Sequence, residues 1–249
     1  MTLSSEGATE AGAIAIQMPD IISPIRAVVF DLDDTLFPEW QYVHSGYRAV
    51  GGHLRQSLGR EDRFEEWLWQ RFQRGQAAGA FDALNEHFHL RLGGEQIASL
   101  VKVYRGHRPT LRPFDGVGGM LSLLHGNFRL GLLSDGYLPA QRLKLEATGL
   151  QRFFDAVVFT EELGRQAWKP STTGFEKISR MLDTPHSRCA YVADNIVKDF
   201  IAPNALGWRT IQFLRPGQVY ANVVGGPEAQ PQFSVRLPGD LLAALVERA

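Results

Sequence analysis

Three aspartates follow a short apolar run near the start of the chain, in the stretch AVVFDLDDTLF that spans residues 27–37. An apolar run without alternation is typical of a parallel strand that helices cover on both faces. Because side chains alternate along a strand, Asp31 and Asp33 are expected on the same side, where two carboxylates repel unless a cation or a proton lies between them. The stretch therefore predicts a metal ion near the end of a buried strand. We interpret the third aspartate, Asp34, as a solvated turn residue.

Further polar residues stand where later strands are predicted to end. They are Ser134, Lys169, Asp194 and Asp199. In open α/β sheets, ligands bind at the carboxyl ends of the strands, so residues far apart in the sequence can converge there. We therefore predict that these four residues join Asp31 and Asp33 around one site.

The second half of the chain alternates between helix and strand patterns, which indicates a parallel α/β sheet. The predicted strands after the first one are 128–133, 156–159, 189–192 and 210–214. The predicted helices are 120–125, 138–148, 173–182, 197–206 and 241–247, and no strand is predicted in the Gly-, Pro- and Gln-rich segment between 216 and 241. The fold class predicted from this pattern is α/β, a Rossmann-like doubly wound parallel sheet.

An all-helical segment interrupts this pattern directly after the first strand. Apolar residues recur at helical spacing from Phe64 to Phe72, and similar patterns cover residues 81–92 and 97–104. The predicted organisation is a poorly ordered tail (1–24), an α/β core domain (25–37 and 114–249) and an inserted helical domain (38–113).

The composition excludes several classes of partner. The formal net charge is −1, so the chain has no overall electrostatic attraction for nucleic acid or for an acidic membrane surface. Its single cysteine, Cys189, lies in an apolar stretch and is expected to be a buried small hydrophobic residue. We find no secretory signal and no transmembrane segment, and we expect a cytoplasmic protein. The sequence does not indicate an oligomeric state.

The ordered set of motifs resembles the haloacid dehalogenase superfamily of hydrolases. Four motifs occur in the superfamily's order between residues 27 and 214: Asp-x-Asp-x-Thr from Asp31, a strand-end Ser134, the Lys169-Pro pair and Asp-x4-Asp from Asp194. A lone Asp-x-Asp is weak, whereas the ordered set is specific. The resemblance implies a Rossmann-like core in which residues 38–113 form the helical cap.

The resemblance also implies catalytic roles for the first motif. Asp31 matches the nucleophile that attacks phosphorus and becomes an aspartyl phosphate. Asp33 matches the general acid that protonates the leaving oxygen and then the base that activates water. Thr35 matches a residue that steadies this loop, and we group it with the phosphate-binding residues.

The remaining motifs match binding residues of the superfamily. Ser134 and the backbone N–H groups of Asp135 and Gly136 match the phosphate cradle, and Lys169 matches the lysine that binds the phosphoryl group. The implied cofactor is Mg²⁺, and its implied ligands are Asp31, the Asp33 carbonyl, Asp194 and Asp199, the last directly or through water.

Two residues depart from the superfamily's pattern. Ala193 replaces the common glycine before the fourth-motif aspartate and is expected to add a methyl group against the metal site. Asp135 stands where asparagine often follows the serine. Neither departure removes a catalytic atom, so both bear on fine geometry and substrate choice.

Four residues near the two ends of the cap are candidate substrate contacts, with structural roles at the cap hinge as the alternative. They are Tyr42, His44, Arg105 and His107. Arg105 suits a second anionic group best.

The sequence therefore predicts a Mg²⁺-dependent phosphohydrolase of a small phosphomonoester. Asp33 indicates the phosphatase branch, because dehalogenase members lack this aspartate and expel a leaving group that needs no proton. A phosphomutase or phosphotransferase of the same superfamily is one alternative. A non-catalytic protein that binds a phosphorylated ligand is another.

Overall fold

Six parallel strands form one sheet within residues 24–218 and 223–246, the part of the chain that the computed structural model describes. The strands are β1 (Ala27–Phe30), β2 (Arg129–Ser134), β3 (Ala156–Phe159), β4 (Cys189–Ala193), β5 (Arg209–Phe213) and β6 (Phe233–Val235). Their order in the sheet is β3-β2-β1-β4-β5-β6. Apart from Pro24, the predicted tail lies outside the described residues.

The central strand β1 pairs with β2 on one side and β4 on the other. At its carboxyl end, Phe30 is in register with Leu132 and Val192. The strand order changes direction between β1 and β4, and such a switch point opens a crevice at the carboxyl ends of the strands. The aspartates that follow β1 and β4 therefore enter the same crevice.

Helices cover both faces of the sheet, because alternate residues of its strands point to opposite sides. Val28 and Phe30 pack in the apolar cluster with helices α5 (Val117–His125), α6 (Ala140–Thr148) and α9 (Pro238–Val246). Ala27 and Val29 pack in the cluster with α7 (Thr173–Met181) and α8 (Ile201–Ala205). This arrangement confirms the predicted Rossmann-like, doubly wound sheet.

The helical segment after β1 has an apolar core of its own. Its helices are α1 (Glu39–Leu58), α2 (Phe64–Gln73), α3 (Ala80–His87) and α4 (Gly94–Gly106), all inside the predicted insert 38–113. Val50, Phe64 and Leu68 are fully buried in this core. Helices α1 and α4 approach closely at Gly46, where a Cβ atom would lie 2.5 Å from the ring of Tyr104.

The structure corrects three predictions around the sheet. Helix α8 begins at Ile201, not at residue 197, because turns replace its predicted first residues. The Asn195 carboxamide oxygen accepts the Val197 N–H, and Asp199 accepts the Asn195 N–H, which fixes this turn. Strand β6 was not predicted, and α9 begins at Pro238 instead of residue 241.

The structure also corrects the predicted environment of Asp34. It is buried, with only 3% of its surface exposed, and its carboxylate accepts the backbone N–H of Glu39 at 2.7 Å. The side chain therefore satisfies an open N–H group in the first turn of α1. The predicted solvated turn residue instead ties the first motif to the first cap helix.

The expectation that the single cysteine is buried is met. Cys189 is fully buried at the start of β4. Among the described residues, no helix is long and apolar enough to cross a membrane.

Replacing Trp208 tests the core on the α7 face. Its indole is fully buried, packs edge-on against Phe175 with ring centroids 5.5 Å apart and donates to His186 Nδ1 at 2.8 Å. Trp208→Ala is expected to lower the free energy of unfolding by about 3–5 kcal/mol in urea denaturation, because it leaves a large cavity. Trp208→Phe keeps most of the volume and should cost about 1–2 kcal/mol. Equal losses for both variants would contradict the cavity explanation.

Candidate active site

Three buried carboxylates meet at the carboxyl end of the central strands. Asp31 follows β1, Asp194 follows β4, and Asp199 lies in the turn before α8. One oxygen of each lies within 4.8 Å of the others, and all three side chains are buried. The convergence expected from the sequence therefore brings Asp31 together with Asp194 and Asp199, which lie 163 and 168 positions later in the chain.

Lys169 is the buried cation of this cluster. Its ammonium lies 2.5 Å from Asp31 Oδ1 and 2.7 Å from Asp199 Oδ1, and it donates to the Tyr191 hydroxyl at 2.8 Å. Burial lowers the pKa of Lys169, but the carboxylates of Asp199 and Asp31 outweigh it and hold this pKa well above its usual range. Lys169 therefore stays charged, and its ammonium is in contact with two of the three carboxylates.

Asp194 has an oxygen that suits a metal ion. Its Oδ1 accepts the Thr35 hydroxyl at 3.4 Å, whereas its buried Oδ2 has no hydrogen-bond partner among the described residues. Burial and then the charges of Asp199 and Asp31 raise the pKa of Asp194 well above its usual range. A divalent cation would stabilise the ionised form of this buried carboxylate. Mg²⁺ prefers oxygen ligands, and the unpartnered oxygen of Asp194 can be one of them.

The nucleophile candidate Asp31 is held by the sheet. Its backbone N–H donates to the Val192 carbonyl at 2.9 Å, which continues the pairing of β1 with β4. Burial raises the pKa of the Asp31 carboxyl to about 7, against the opposing charge of Lys169. A cation bound at the cluster would favour the ionised form, which is the form that can attack phosphorus.

Asp33 does not join the three-carboxylate cluster through its side chain. Its carboxyl group turns toward α6, where Lys144 Nζ lies 2.7 Å from Oδ1 and Gln141 Nε2 donates to Oδ2 at 2.8 Å. The sequence analysis did not identify either residue. A usable signal existed, since Gln141 and Lys144 share the helix face of the apolar Leu145, where a lysine is unusual unless paired.

The predicted phosphate cradle lies in the loop after β2. Ser134 is buried, and its hydroxyl accepts the Gln141 amide at 2.9 Å. Gly136 has φ 133°, and a Cβ atom there would lie 2.8 Å from Gln141 Nε2, so the loop requires glycine. Thr35 is fully buried and orients Asp194; its phosphate contact stays a prediction.

Asp135 has a definite structural role. Its carboxylate accepts the Thr160 hydroxyl at 2.7 Å and the Lys169 N–H at 3.1 Å, and it pairs with Lys198 at 3.4 Å. Asp135, which stands in place of asparagine, thus connects the second motif with Lys169 of the third motif. Ala193, the other departure, packs in the apolar cluster on the α7 face of the sheet.

Two of the four candidate substrate contacts line the cleft between cap and core. This cleft has a volume of about 610 Å³, and its lining includes Tyr42 and Arg105. The Arg105 guanidinium lies 3.4 Å from the ring centre of Tyr137, so it also joins the cap to the core. The Tyr42 hydroxyl donates to the Tyr104 carbonyl at 3.1 Å.

The two candidate histidines have structural partners elsewhere. The His44 ring packs against Trp69, with centroids 4.8 Å apart, outside the residues that line the cleft. Both ring nitrogens of His107 are engaged, Nε2 with the Ser45 hydroxyl at 2.8 Å and Nδ1 with the Tyr104 carbonyl at 2.6 Å. Contact of these two histidines with substrate stays a prediction.

Glu39 is a further acidic residue that the sequence analysis missed. It lines both the cleft and the adjoining acidic cavity of about 130 Å³ around Asp31. Burial, and then the negative charge of Asp33, raises the pKa of Glu39 to about 7, against the opposing charge of Lys144. The sequence offered one signal for this residue, because Glu39 is an acidic residue in the first turn of α1, close after the first motif.

Sequence comparisons identify one family and several named relatives. A family model described as haloacid dehalogenase-like hydrolase matches residues 25–207. A glyceraldehyde 3-phosphate phosphatase of Methanopyrus kandleri is 28% identical over 236 residues, which cover 90% of this chain and 99% of that protein. The pyrimidine 5'-nucleotidase YjjG of Escherichia coli is 25% identical over 187 residues, which cover 70% of this chain and 79% of that protein.

Solved structures share the fold. The HAD-hydrolase YfnB of Bacillus subtilis, solved bound to magnesium, matches with a TM-score of 0.63 at 19% identity, over 89% of this chain and 98% of that one. A 2-haloacid dehalogenase of Pseudomonas syringae matches with a TM-score of 0.62 at 21% identity, over 89% of this chain and 98% of that one. At these identities the similarity concerns the architecture alone.

The buried acidic cluster predicts stabilisation by a divalent cation. Adding Mg²⁺ to EDTA-treated protein at about 100 times its Kd should raise the free energy of unfolding by about 2–3 kcal/mol, and Asp194→Asn should abolish most of this increase. Asp183→Asn is the matched control, since Asp183 is exposed and has a positive φ that asparagine tolerates. Undiminished stabilisation of Asp194→Asn, measured by urea denaturation, would contradict this assignment.

The raised pKa of Glu39 predicts a pH-dependent stability difference. Between its ordinary 4.5 and about 7, folded Glu39 holds a proton that the unfolded chain releases, so stability falls as pH rises through this window. Glu39→Gln removes this contribution. In EDTA it should be more stable than the wild type by about 1–3 kcal/mol at pH 8, with little difference near pH 4. A difference that does not vary with pH would contradict the burial of this carboxyl group.

Proposed function

The chain belongs to the haloacid dehalogenase-like hydrolases, and from that premise we propose that it is a Mg²⁺-dependent phosphatase of a small phosphomonoester. The supporting observation is the convergence of Lys169 with Asp31 and Asp199 at 2.5 and 2.7 Å, beside the unpartnered oxygen of Asp194. This arrangement provides a nucleophile, a cation for phosphate and a metal site in one crevice.

The reaction proceeds in two steps through Asp31. In the first, a carboxylate oxygen of Asp31 attacks phosphorus in line, the bond to the ester oxygen breaks, and Asp33, which carries a proton when the ester is bound, gives that proton to the ester oxygen. In the second, Asp33 takes a proton from water, the water oxygen attacks phosphorus, and inorganic phosphate leaves as Asp31 is regenerated. Asp31, the Asp33 carbonyl, Asp194 and Asp199 would hold Mg²⁺, which when bound would supply Lewis-acid stabilisation of the phosphoryl charge.

The other residues hold the phosphoryl group. Lys169 balances the negative charge that accumulates on its oxygens, because its ammonium already lies against the nucleophile. Ser134 and the backbone N–H groups of the following loop bind these oxygens from the β2 side. The cap covers the crevice and limits the access of bulk water.

Asp33 favours a phosphatase over a dehalogenase. A halide leaves without a proton, whereas an alkoxide released from a phosphomonoester needs one. Asp33 lies within hydrogen-bond distance of two side chains at the floor of the cleft, so its carboxyl group faces the substrate space. A phosphomutase would use the same first step and return the phosphoryl group to another oxygen.

Two substrate classes deserve direct comparison. The relative from Methanopyrus kandleri, whose match covers 90% of this chain, is named for glyceraldehyde 3-phosphate. Its name favours a short phosphorylated aldehyde or polyol as the substrate. The cleft is larger than such a substrate requires and is lined by aromatic rings, which would accept a flat base. A pyrimidine 5'-nucleotide is therefore the second candidate, as the name of the nucleotidase relative also suggests.

Phosphate release tests the proposal. The wild type should release phosphate from p-nitrophenyl phosphate with Mg²⁺ and lose this activity in EDTA, because the substrate's charge then meets an uncompensated acidic cluster. Asp31→Asn should lower kcat by on the order of 10³-fold or more, since it removes the nucleophile. Asp183→Asn should retain wild-type activity.

The same assay ranks the substrates. The value of kcat/KM for glyceraldehyde 3-phosphate is compared with that for pyrimidine and purine 5'-monophosphates. Stable, folded protein that binds these esters without metal-dependent release would support the non-catalytic alternative. Full activity of Asp31→Asn would refute the aspartyl-phosphate mechanism.

A further inference from the structure

Helix α6 holds both oxygens of the acid–base candidate. Lys144 Nζ donates to Asp33 Oδ1 at 2.7 Å, and Gln141 Nε2 donates to Oδ2 at 2.8 Å. The two donors are three residues apart and therefore lie on the same face of the helix. Their contacts fix the rotation of the Asp33 carboxyl group about its last torsion, which is otherwise soft.

Lys144 is held in place more firmly than a surface lysine. Its side chain is only 6% exposed, and its ammonium lies 4.3 Å from the centre of the Tyr42 ring. That ring is itself anchored, because the Tyr42 hydroxyl donates to the Tyr104 carbonyl. The neighbouring Leu145 is buried in the core and fixes α6 against the sheet. Lys144 thus reaches Asp33 from a rigid support, between the core and the cap.

Lys144 has the stronger hold of the two donors. The Gln141 amide nitrogen is shared among Asp33, the Ser134 hydroxyl and the Asp135 carbonyl. The contact from Lys144 joins an ammonium to a carboxylate, and charge-assisted hydrogen bonds of this kind are about twice as strong as neutral ones. Without Lys144, the Asp33 carboxyl group would keep only the hydrogen bond from Gln141, which reaches one of its oxygens and is shared with two other acceptors.

We propose that Lys144 is a positioning residue: it holds Oδ1 of Asp33, so that Oδ2 is the oxygen that carries the proton transferred to the leaving oxygen. The inference rests on the proposed phosphatase function and adds that a residue of α6 is required to orient the general acid. A displacement of about 1 Å at a reacting group can lower a rate by about 100-fold. The orientation of Asp33 therefore determines how fast a poor leaving group departs.

Two other roles would place Lys144 in the same position. It could bind the substrate phosphate directly, or it could serve only the packing of α6 against Tyr42. Both roles affect all phosphomonoesters alike. A role through Asp33 differs, because an acidic alcohol leaves without help from a general acid whereas a less acidic one needs the proton.

The experiment compares kcat/KM for a series of para-substituted phenyl phosphates with Mg²⁺ present. These esters have similar shapes but range from the acidic leaving group p-nitrophenol to the weakly acidic p-methoxyphenol. Because kcat/KM covers the steps up to departure of the phenol, its dependence on the acidity of the phenol reports the proton donation by Asp33. The variants are Lys144→Met, Lys144→Arg and Lys102→Met, the last at an exposed lysine on α4.

Lys144→Met should lower kcat/KM for p-methoxyphenyl phosphate by about 10- to 100-fold and that for p-nitrophenyl phosphate by less than about 3-fold. Lys144→Arg should recover part of the loss, since its guanidinium can donate to the same oxygen. Lys102→Met should match the wild type with every ester. Thermal unfolding of each variant at the assay temperature checks that it is folded.

A double variant assigns the effect to Asp33. In the Asp33→Asn background, Lys144→Met should lower kcat/KM by less than about 3-fold, because the carboxyl group it orients is gone. Equal losses across the ester series, full additivity with Asp33→Asn or no loss at all would overturn the inference while the wild type remained active. A wild type that hydrolysed none of these esters would overturn the proposed function, and this inference with it.

Discussion

The main constraint on this structure is the mutual repulsion of carboxylates that are buried together. Asp31, Asp194 and Asp199 lie within 4.8 Å of one another out of contact with bulk water, where like charges are screened little. The ammonium of Lys169 balances only part of this charge. A fold that keeps such a cluster needs rigid support for every member. The carboxyl ends of neighbouring parallel strands provide that support, because each strand is fixed by hydrogen bonds to the next one.

The crevice is built in two layers. The lower layer belongs to the core and contains the carboxylates, Lys169 and the loop after β2. The upper layer contains the cap, whose first helix is tied to the first motif through the hydrogen bond from the Glu39 N–H to Asp34. The two layers meet where Lys144 lies between Asp33 and the Tyr42 ring and where Arg105 covers Tyr137. Changes in the position of the cap can therefore reach the acid–base group through side chains already in contact.

The shared architecture leaves the chemistry to individual side chains. Solved structures with TM-scores above 0.6 to this chain include both a magnesium-bound hydrolase and a dehalogenase, so the sheet and cap do not select a reaction. The selection is made by the groups at the crevice. Asp33 pairs with Lys144 beside the cleft, and Asp135 replaces a neutral amide with a carboxylate that pairs with Lys198 and accepts from Thr160.

The sequence by itself determined the elements whose cause is local. The apolar run before Asp31, the helix and strand periodicities and the spacing of the four motifs were sufficient for the doubly wound sheet, the helical insert and the acidic site. The sequence did not determine which polar side chains outside the four motifs contact one another or the site. The pairing of Lys144 with Asp33 and the engagement of both His107 nitrogens by cap residues were decided by packing. The turn that delays α8 was likewise decided by hydrogen bonds of Asn195 and Asp199, in competition with helix propensity. Local patterns record which face of an element is apolar, and only the assembled fold decides which polar groups meet across the faces.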